Sequence, residues 1–164
     1  MSPRIQRCVA AAGLAVVLVA ANLTVARHEH TLDQGQAIYL ELAPVDPRSI
    51  MQGDYMALAF AAGRQVPTTA PAHGRIVVKL DPRQVGVFAR VHGGEALAPD
   101  ERLVEYRLRK RGARIVTDAW HFQEGQARTF EGARYGMVRV RDDGVALLVG
   151  LADAKLAPLG PPAY

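Results

Sequence analysis

The sequence predicts a mainly β protein, folded as an antiparallel β sandwich or a partly closed barrel and preceded by one N-terminal transmembrane helix. Three features support this prediction: an uncharged N-terminal stretch, segments in which apolar and polar residues alternate, and turn-forming residues between those segments. Of the 164 residues, 22% are charged and 49% are hydrophobic, as in folded proteins. This length fits one domain with a hydrophobic core.

The N-terminal stretch from Cys8 to Ala26 contains no charged residue. At roughly 1.5 Å per residue, a helix of that length spans about 29 Å, close to the thickness of a bilayer's hydrocarbon core. Arg4 and Arg7 precede it, so the positive-inside rule places the N-terminus in the cytoplasm. We predict a cytoplasmic segment at 1–7, a transmembrane signal-anchor helix at 8–26, a juxtamembrane linker at 27–35 and an extracytoplasmic β domain at 36–160.

This topology predicts a single-pass protein of the bacterial inner membrane with its C-terminal domain in the periplasm. A cleaved secretory signal is the alternative, because the small residues at 19–21 or 24–26 suit a signal peptidase. The single cysteine, Cys8, excludes an internal disulfide, so the exported domain depends on its hydrophobic core for stability.

Alternation of apolar and polar residues predicts a first strand in QAIYLELA (36–43) and a second in DYMALAF (54–60). In the second strand, Met56, Leu58 and Phe60 fall on one face. Two more strands are predicted in RIVVKLD (75–81) and VGVFARVHG (85–93).

Turn signals predict two hairpins in the C-terminal half of the chain. One spans 103–122 and turns at Arg111-Gly112, and the other spans 135–151 and turns at 142–144. The residues between them have helical spacing at 127–134, which indicates a short helix. GRQVPTTAPAHG (63–74) is predicted to be a flexible loop.

The distribution of charged residues argues against a nucleic-acid partner, and the spacing of possible ligands argues against a metal site. The net charge is +4, but the basic residues are scattered among acids, so we predict no nucleic-acid partner. His28 and His30 lack a nearby third or fourth ligand, so no metal site and no cofactor is predicted. One dense basic cluster occurs on the first hairpin, at Arg107, Arg109, Lys110, Arg111 and Arg114.

The octapeptide GDYMALAF (53–60) resembles the signature of the GDYXXLXY-domain proteins of bacteria, with Phe60 where the signature has Tyr. The preceding residues, Pro44, Asp46, Pro47 and Arg48, and the later segments FQEGQARTFEGARYG and DGVALLVGL also resemble the family's pattern. The resemblance implies an N-terminal anchor, a β-rich extracytoplasmic domain at 36–160 and a multi-pass membrane protein as partner. It implies no established enzymatic activity.

Two groups of polar residues are candidate recognition sites. The first lies at the start of the second strand, where we expect the carboxylate of Asp54 to accept backbone N–H groups or to pair with Arg48. This corner either presents Arg48, Ser49, Asp54 and Tyr55 to a partner or sets the strand register. The second group lies among aromatic residues, and we expect Glu124 and Arg134 to form an ion pair there. The candidate residues are Asp46, Pro47, Arg48, Gly53, Asp54, Tyr55, Leu58, Phe60, Gln123, Glu124, Arg134 and Tyr135.

We therefore predict a membrane-anchored periplasmic binding or assembly module that acts with an integral membrane partner, and we assign no catalytic residue. The alternative is a membrane-bound peptidase that uses Ser49 as nucleophile and Lys79 as base. Such a dyad requires Ser49 Oγ and Lys79 Nζ within about 3 Å of each other, in a cleft that shields the lysine from solvent.

Overall fold

A computed structural model of the chain describes residues 3–43, 51–52, 55–110 and 112–161. In these ranges the protein is mainly β, which confirms that part of the predicted fold class. The helices are α1 (Pro3–Gln34), α2 (Ala61–Arg64) and α3 (Ala127–Phe130). The strands are β1 (Gln36–Glu41), β2 (Met51–Gln52), β3 (Tyr55–Ala57), β4 (His73–Leu80), β5 (Val85–Val91), β6 (Glu101–Arg109), β7 (Gly112–Ile115), β8 (Ala119–His121), β9 (Tyr135–Val140), β10 (Ala146–Ala152) and β11 (Pro158–Leu159).

The main sheet has eight strands in the order β11-β10-β9-β1-β5-β4-β6-β7. Within it, β1 pairs antiparallel with β9 but parallel with β5, with Tyr39 opposite Val85. The sheet is therefore mixed, and the prediction of a purely antiparallel arrangement is wrong. Period-two alternation shows which face of a strand is buried, but the direction of the neighbouring strand does not change that pattern.

The main sheet does not close into a barrel, because its terminal strands β7 and β11 do not pair in the part of the chain that the structure describes. One backbone hydrogen bond of 2.9 Å, donated by Glu105 N–H to Gly144 O, joins the turn between β9 and β10 to β6. A second, antiparallel sheet has the order β2-β3-β8. The described residues therefore form a mixed eight-stranded sheet that is not a closed barrel, together with a separate three-stranded antiparallel sheet.

The main hydrophobic core lies on one face of the large sheet. It joins Leu40 of β1 and Val104 of β6 to Phe60 and Val66 from the segment around α2. The loop predicted at 63–74 thus begins in a helix and buries Val66, because its apolar residues complete the core. A smaller core consists of Met56, Leu58, Phe130 and Leu151.

Both predicted hairpins are present, but the first is shorter than expected. Strands β6 and β7 pair as far as Ile115, and Val116 then has a φ of 53°. The chain leaves the main sheet at that point, and β8 pairs with β3 instead. The second hairpin turns at Gly144, whose φ of 91° suits a residue without a Cβ atom.

Helix α1 is longer than the predicted anchor, since it continues through most of the predicted linker to Gln34. Its C-terminal end contacts β9 and β10, and Thr31 is buried there. The N–H of Gly35 donates to Thr31 O at 3.0 Å. Among the residues described, no helix combines the length and the apolar character needed to cross a membrane.

Candidate functional site

Most of the predicted corner cannot be placed. Asp46, Pro47, Arg48, Ser49, Gly53 and Asp54 lie outside the described residues. Tyr55, at the start of β3, is 37% exposed, and its ring centroid lies 5.8 Å from that of His121. Leu58 and Phe60 are buried in the smaller and the main core, respectively. The exposed end of this segment is therefore Tyr55, whereas Leu58 and Phe60 belong to the framework.

The second predicted group does not converge on one site. Gln123, Glu124 and Arg134 are exposed and Tyr135 is half-buried. Glu124 and Arg134 are not among the ion pairs of the described residues, so the expected pair between them is wrong. Arg134 acts instead through its backbone, which donates to Ala152 O and accepts from Leu42 N–H, both at 2.8 Å.

The aromatic residues beside this group are structural. Trp120 packs edge-on against Phe130 with ring centroids 6.0 Å apart, and Phe122 stacks on Phe130 at 5.3 Å. Phe130 is buried in the smaller core. These rings hold the segment around α3 against the end of β10, so the exposed polar residues nearby have a rigid base.

The lysine of the peptidase alternative is exposed. The side chain of Lys79 on β4 is 66% exposed, and its Nζ lies 3.6 Å from a carboxylate oxygen of Asp100. A lysine that acts as a general base has to be shielded from solvent, so that its neutral form is populated. The position of Lys79 does not provide that environment.

A cleft of about 970 Å³ separates β6 and β7 from the turn between β9 and β10. It is lined by residues of β4, β6 and β7 and by residues at the start of β10. These segments are far apart in the sequence. The lining residues are Ala72, His73, Gly74, Arg75, His92, Glu105, Tyr106, Arg107, Leu108, Arg109, Arg114, Val116, Val145 and Ala146.

The cleft is strongly cationic. Arg75, Arg107 and Arg109 have no ion-pair partner within the described ranges, whereas Arg114 lies 3.2 Å from Asp118. Among the described residues that line the cleft, Glu105 alone carries a carboxylate. Arg107 also lies directly opposite Arg114 in the β6–β7 pair, and like charges in that position repel each other.

Two buried polar atoms at the cleft have no hydrogen-bond partner among the described residues. One is the hydroxyl of Tyr106, a residue that is 2% exposed. The other is Nδ1 of His92, which lies 3.8 Å from Glu95 Oε1, beyond hydrogen-bond distance. Burying a polar group without a partner costs free energy, so the region around both atoms is a candidate binding site.

The sequence indicated only part of this cleft. The basic cluster at 107–114 is visible in the sequence, and alternation places Arg107 and Arg109 on one face of β6. Nothing in the sequence indicates that Arg75, His92 and Val145 approach that cluster. Their proximity depends on strand order and on the curvature of the sheet.

Comparison with protein-family models gives a match over residues 17–151, to the family described as GDYXXLXY protein. The chain belongs to this family. Searches of curated proteins and of solved structures gave no match. Membership in the GDYXXLXY family therefore confirms the resemblance and brings no activity with it.

The described part of the GDYXXLXY signature links the two sheets. Tyr55 to Ala57 form β3 of the small sheet, whereas Phe60 forms an isolated bridge with Leu42 beside the main sheet. Phe60 is 3% exposed, and it stands where the signature has Tyr. Its ring fills space in the main core, so packing explains why an aromatic residue is needed here.

Among the described residues, no group of three His, Cys, Asp or Glu side chains is arranged to hold a metal ion.

Proposed function

We propose that this protein is a membrane-anchored binding or assembly module that acts with an integral membrane partner. The observation that carries the proposal is the exposure of apolar side chains around α1. Every side chain from residue 12 to residue 26 is exposed. Leu14, Val16 and Val17 are 61%, 69% and 64% exposed. Apolar side chains that are exposed along a helical segment are stabilised by apolar surroundings, such as a bilayer or a helical partner within it.

The proposed orientation follows from charge. Arg4 and Arg7 precede the apolar stretch, so the N-terminus remains in the cytoplasm and the β domain lies in the periplasm of a bacterial cell. The anchor remains uncleaved in this proposal. In the cleaved form the same domain would be released from the membrane.

Binding is preferred to catalysis because of the cleft. It combines arginines that have no carboxylate partner in the described chain with a buried hydroxyl that has no hydrogen-bond partner there, and these are properties of a surface that receives a ligand. The peptidase alternative requires a shielded Lys79, and its exposed side chain argues against that role. Under the binding proposal, Lys79→Ala and Ser49→Ala leave the cellular phenotype of the protein unchanged.

The proposal is tested with the full chain in its native membrane. A photo-reactive amino acid replaces His73 in one variant, since His73 is exposed and lines the cleft without being one of its arginines, and Lys155 in the control, since Lys155 is exposed and does not line the cleft. We expect both variants to stay in the membrane pellet after carbonate extraction. We also expect the His73 variant alone to crosslink to an integral membrane protein.

Release of the chain by carbonate would contradict membrane anchoring, and a soluble form of lower mass would show cleavage. Equal crosslinking from the two positions would contradict a specific partner at the cleft.

A further inference from the structure

We propose that the cleft binds an extended acidic peptide segment of a partner, which adds a strand between β10 and the β6–β7 hairpin. This inference rests on the proposed binding function and identifies the chemistry of the ligand. It depends on three features of the same place: an unpaired strand edge, cationic residues on one face, and apolar residues with an orphan hydroxyl on the other.

The strand edge is at the start of β10. Residues 146–148 pair with β9 on one side, while β11 pairs only with residues 151–152. No described strand pairs with 146–148 on the side away from β9. An unpaired edge presents backbone N–H and C=O groups, and an extended peptide satisfies them by adding a strand.

The chain itself turns away from this edge at Val116. Its φ of 53° is rare for a β-branched residue, and it directs the chain from β7 into the small sheet. A second cavity of about 400 Å³ lies along the same edge, with Ala146, Leu147 and Leu148 on one side and residues between Val116 and His121 on the other. The two cavities share Val116 and Ala146, so they adjoin each other at the start of β10.

The two faces of β6 make one side of the gap cationic and the other side apolar. Arg107 and Arg109 alternate with Tyr106 and Leu108, and all four line the cleft. Side chains alternate between the faces of a strand, so the arginines lie on the outer face and Tyr106 lies on the core face. A strand in this gap would place every second side chain against arginines and the others against the core.

Arginine favours carboxylate ligands on the cationic side. The guanidinium group presents paired N–H donors that match a carboxylate, and Arg75, Arg107 and Arg109 have no carboxylate partner within the described chain. An acidic side chain there would also reduce the repulsion between Arg107 and Arg114.

On the other side, the Tyr106 hydroxyl supplies a polar group in an apolar wall. It is buried and has no hydrogen-bond partner within the described ranges, and it lies 3.1 Å from the position that a Cβ atom on Gly74 would occupy. A backbone group of the inserted peptide would give this hydroxyl a hydrogen bond. The matching ligand therefore alternates Glu with a small apolar residue such as Val.

The test measures binding of a short fluorescent peptide in which Glu and Val alternate, by fluorescence anisotropy with the full chain in non-ionic detergent. We expect saturable binding that weakens as salt is added, because ions screen exposed charges. Arg107→Gln and Arg109→Gln should each weaken binding about tenfold or more. Arg128→Gln removes a charge from an exposed position outside the cleft and should leave the affinity unchanged.

The Tyr106→Phe variant tests the contribution of the hydroxyl to binding separately from that of the arginines. Because the hydroxyl has no hydrogen-bond partner in the part of the chain that the structure describes, its removal should leave the melting temperature unchanged or slightly raised, while peptide affinity falls about threefold to tenfold. A lower melting temperature with unchanged affinity would overturn this role.

Three results would overturn the proposal as a whole: no binding of the Glu-Val peptide, equal binding of a Lys-Val peptide, or equal losses in the Arg107 and Arg128 variants. Binding of pyrophosphate with the same arginine dependence, without peptide binding, would instead show a site for small phosphates. If the peptide fails while the probe at position 73 still crosslinks to a membrane protein, only the ligand assignment is wrong and the proposed function stands.

Discussion

Gly136 on β9 gives the ring of Phe60 its place in the main core. A Cβ atom at position 136 would lie 2.8 Å from Phe60 Cε1 and 3.0 Å from Leu148 Cδ1. The first distance is shorter than real Cβ contacts and the second is tighter than most of them, so the ring or the strand would have to move. Because Gly136 has no side chain, β9 comes close enough to contact Phe60, which belongs to the family's signature segment.

Gly136→Ala should therefore destabilise the β domain by about 1 to 3 kcal/mol, the typical cost of overpacking a core. Gly132→Ala is the matched control, since a Cβ atom there meets nothing within 4 Å. That change should stay within about 0.5 kcal/mol of the native protein. Urea denaturation of the full chain in detergent measures both, and equal midpoints for the two variants would contradict this description of the core.

The connection between β5 and β6 is held in place by the side chain of one residue, Arg90. Arg90 donates from Nε to Glu95 at 2.7 Å and also binds Glu101 through both terminal nitrogens. The Arg90 hydrogen bond is the main reason that the pKa of Glu95 and the pKa of Glu101 are each lowered to about 2. Backbone N–H groups add to both shifts, from Gly93 to Glu95 and from Ala98 to Glu101.

These lowered pKa values predict a pH dependence of stability. Above the ordinary glutamate pKa of about 4.5, both states are deprotonated and the stabilisation is complete. As the pH falls from about 4.5 towards 2, the unfolded chain binds protons that the folded chain does not, so stability decreases. Both glutamates are partly exposed, which makes the effect modest.

Arg90→Gln should flatten this part of the stability profile, because both glutamates then titrate closer to their ordinary values. Arg128→Gln, which removes an exposed charge with no ion pair in the described chain, should leave the slope as it is. Melting temperatures recorded between about pH 2 and pH 6 test this. A steeper decline in the Arg90 variant would contradict the assignment.

For the whole molecule, the proposed topology makes a prediction that does not depend on the cleft. Alkaline phosphatase fused after residue 35 should be active and membrane-bound, because the enzyme works only when exported. The same fusion after residue 7 should be inactive. Activity of the shorter fusion alone would reverse the orientation, and a soluble active product from the longer one would show cleavage of the anchor.

The sequence by itself determined the local features of this protein. Alternation identified the buried faces of β1 and β3, where Ile38, Leu40 and Met56 are buried. The Asp-Gly turn predicted the β9–β10 hairpin, and the octapeptide indicated the family. These features depend on neighbouring residues, so a short window of sequence contains the information.

The tertiary structure alone decided the pairing of distant segments. The parallel contact of β1 with β5 and the bond from Glu105 to Gly144 join segments that are far apart in the chain. The cleft depends on the same pairing, because Arg75, Arg107 and Val145 come together only when the sheet curves. Strand order and sheet curvature are set by the free energy of the whole core, to which residues from distant segments contribute. A local sequence pattern does not contain that information.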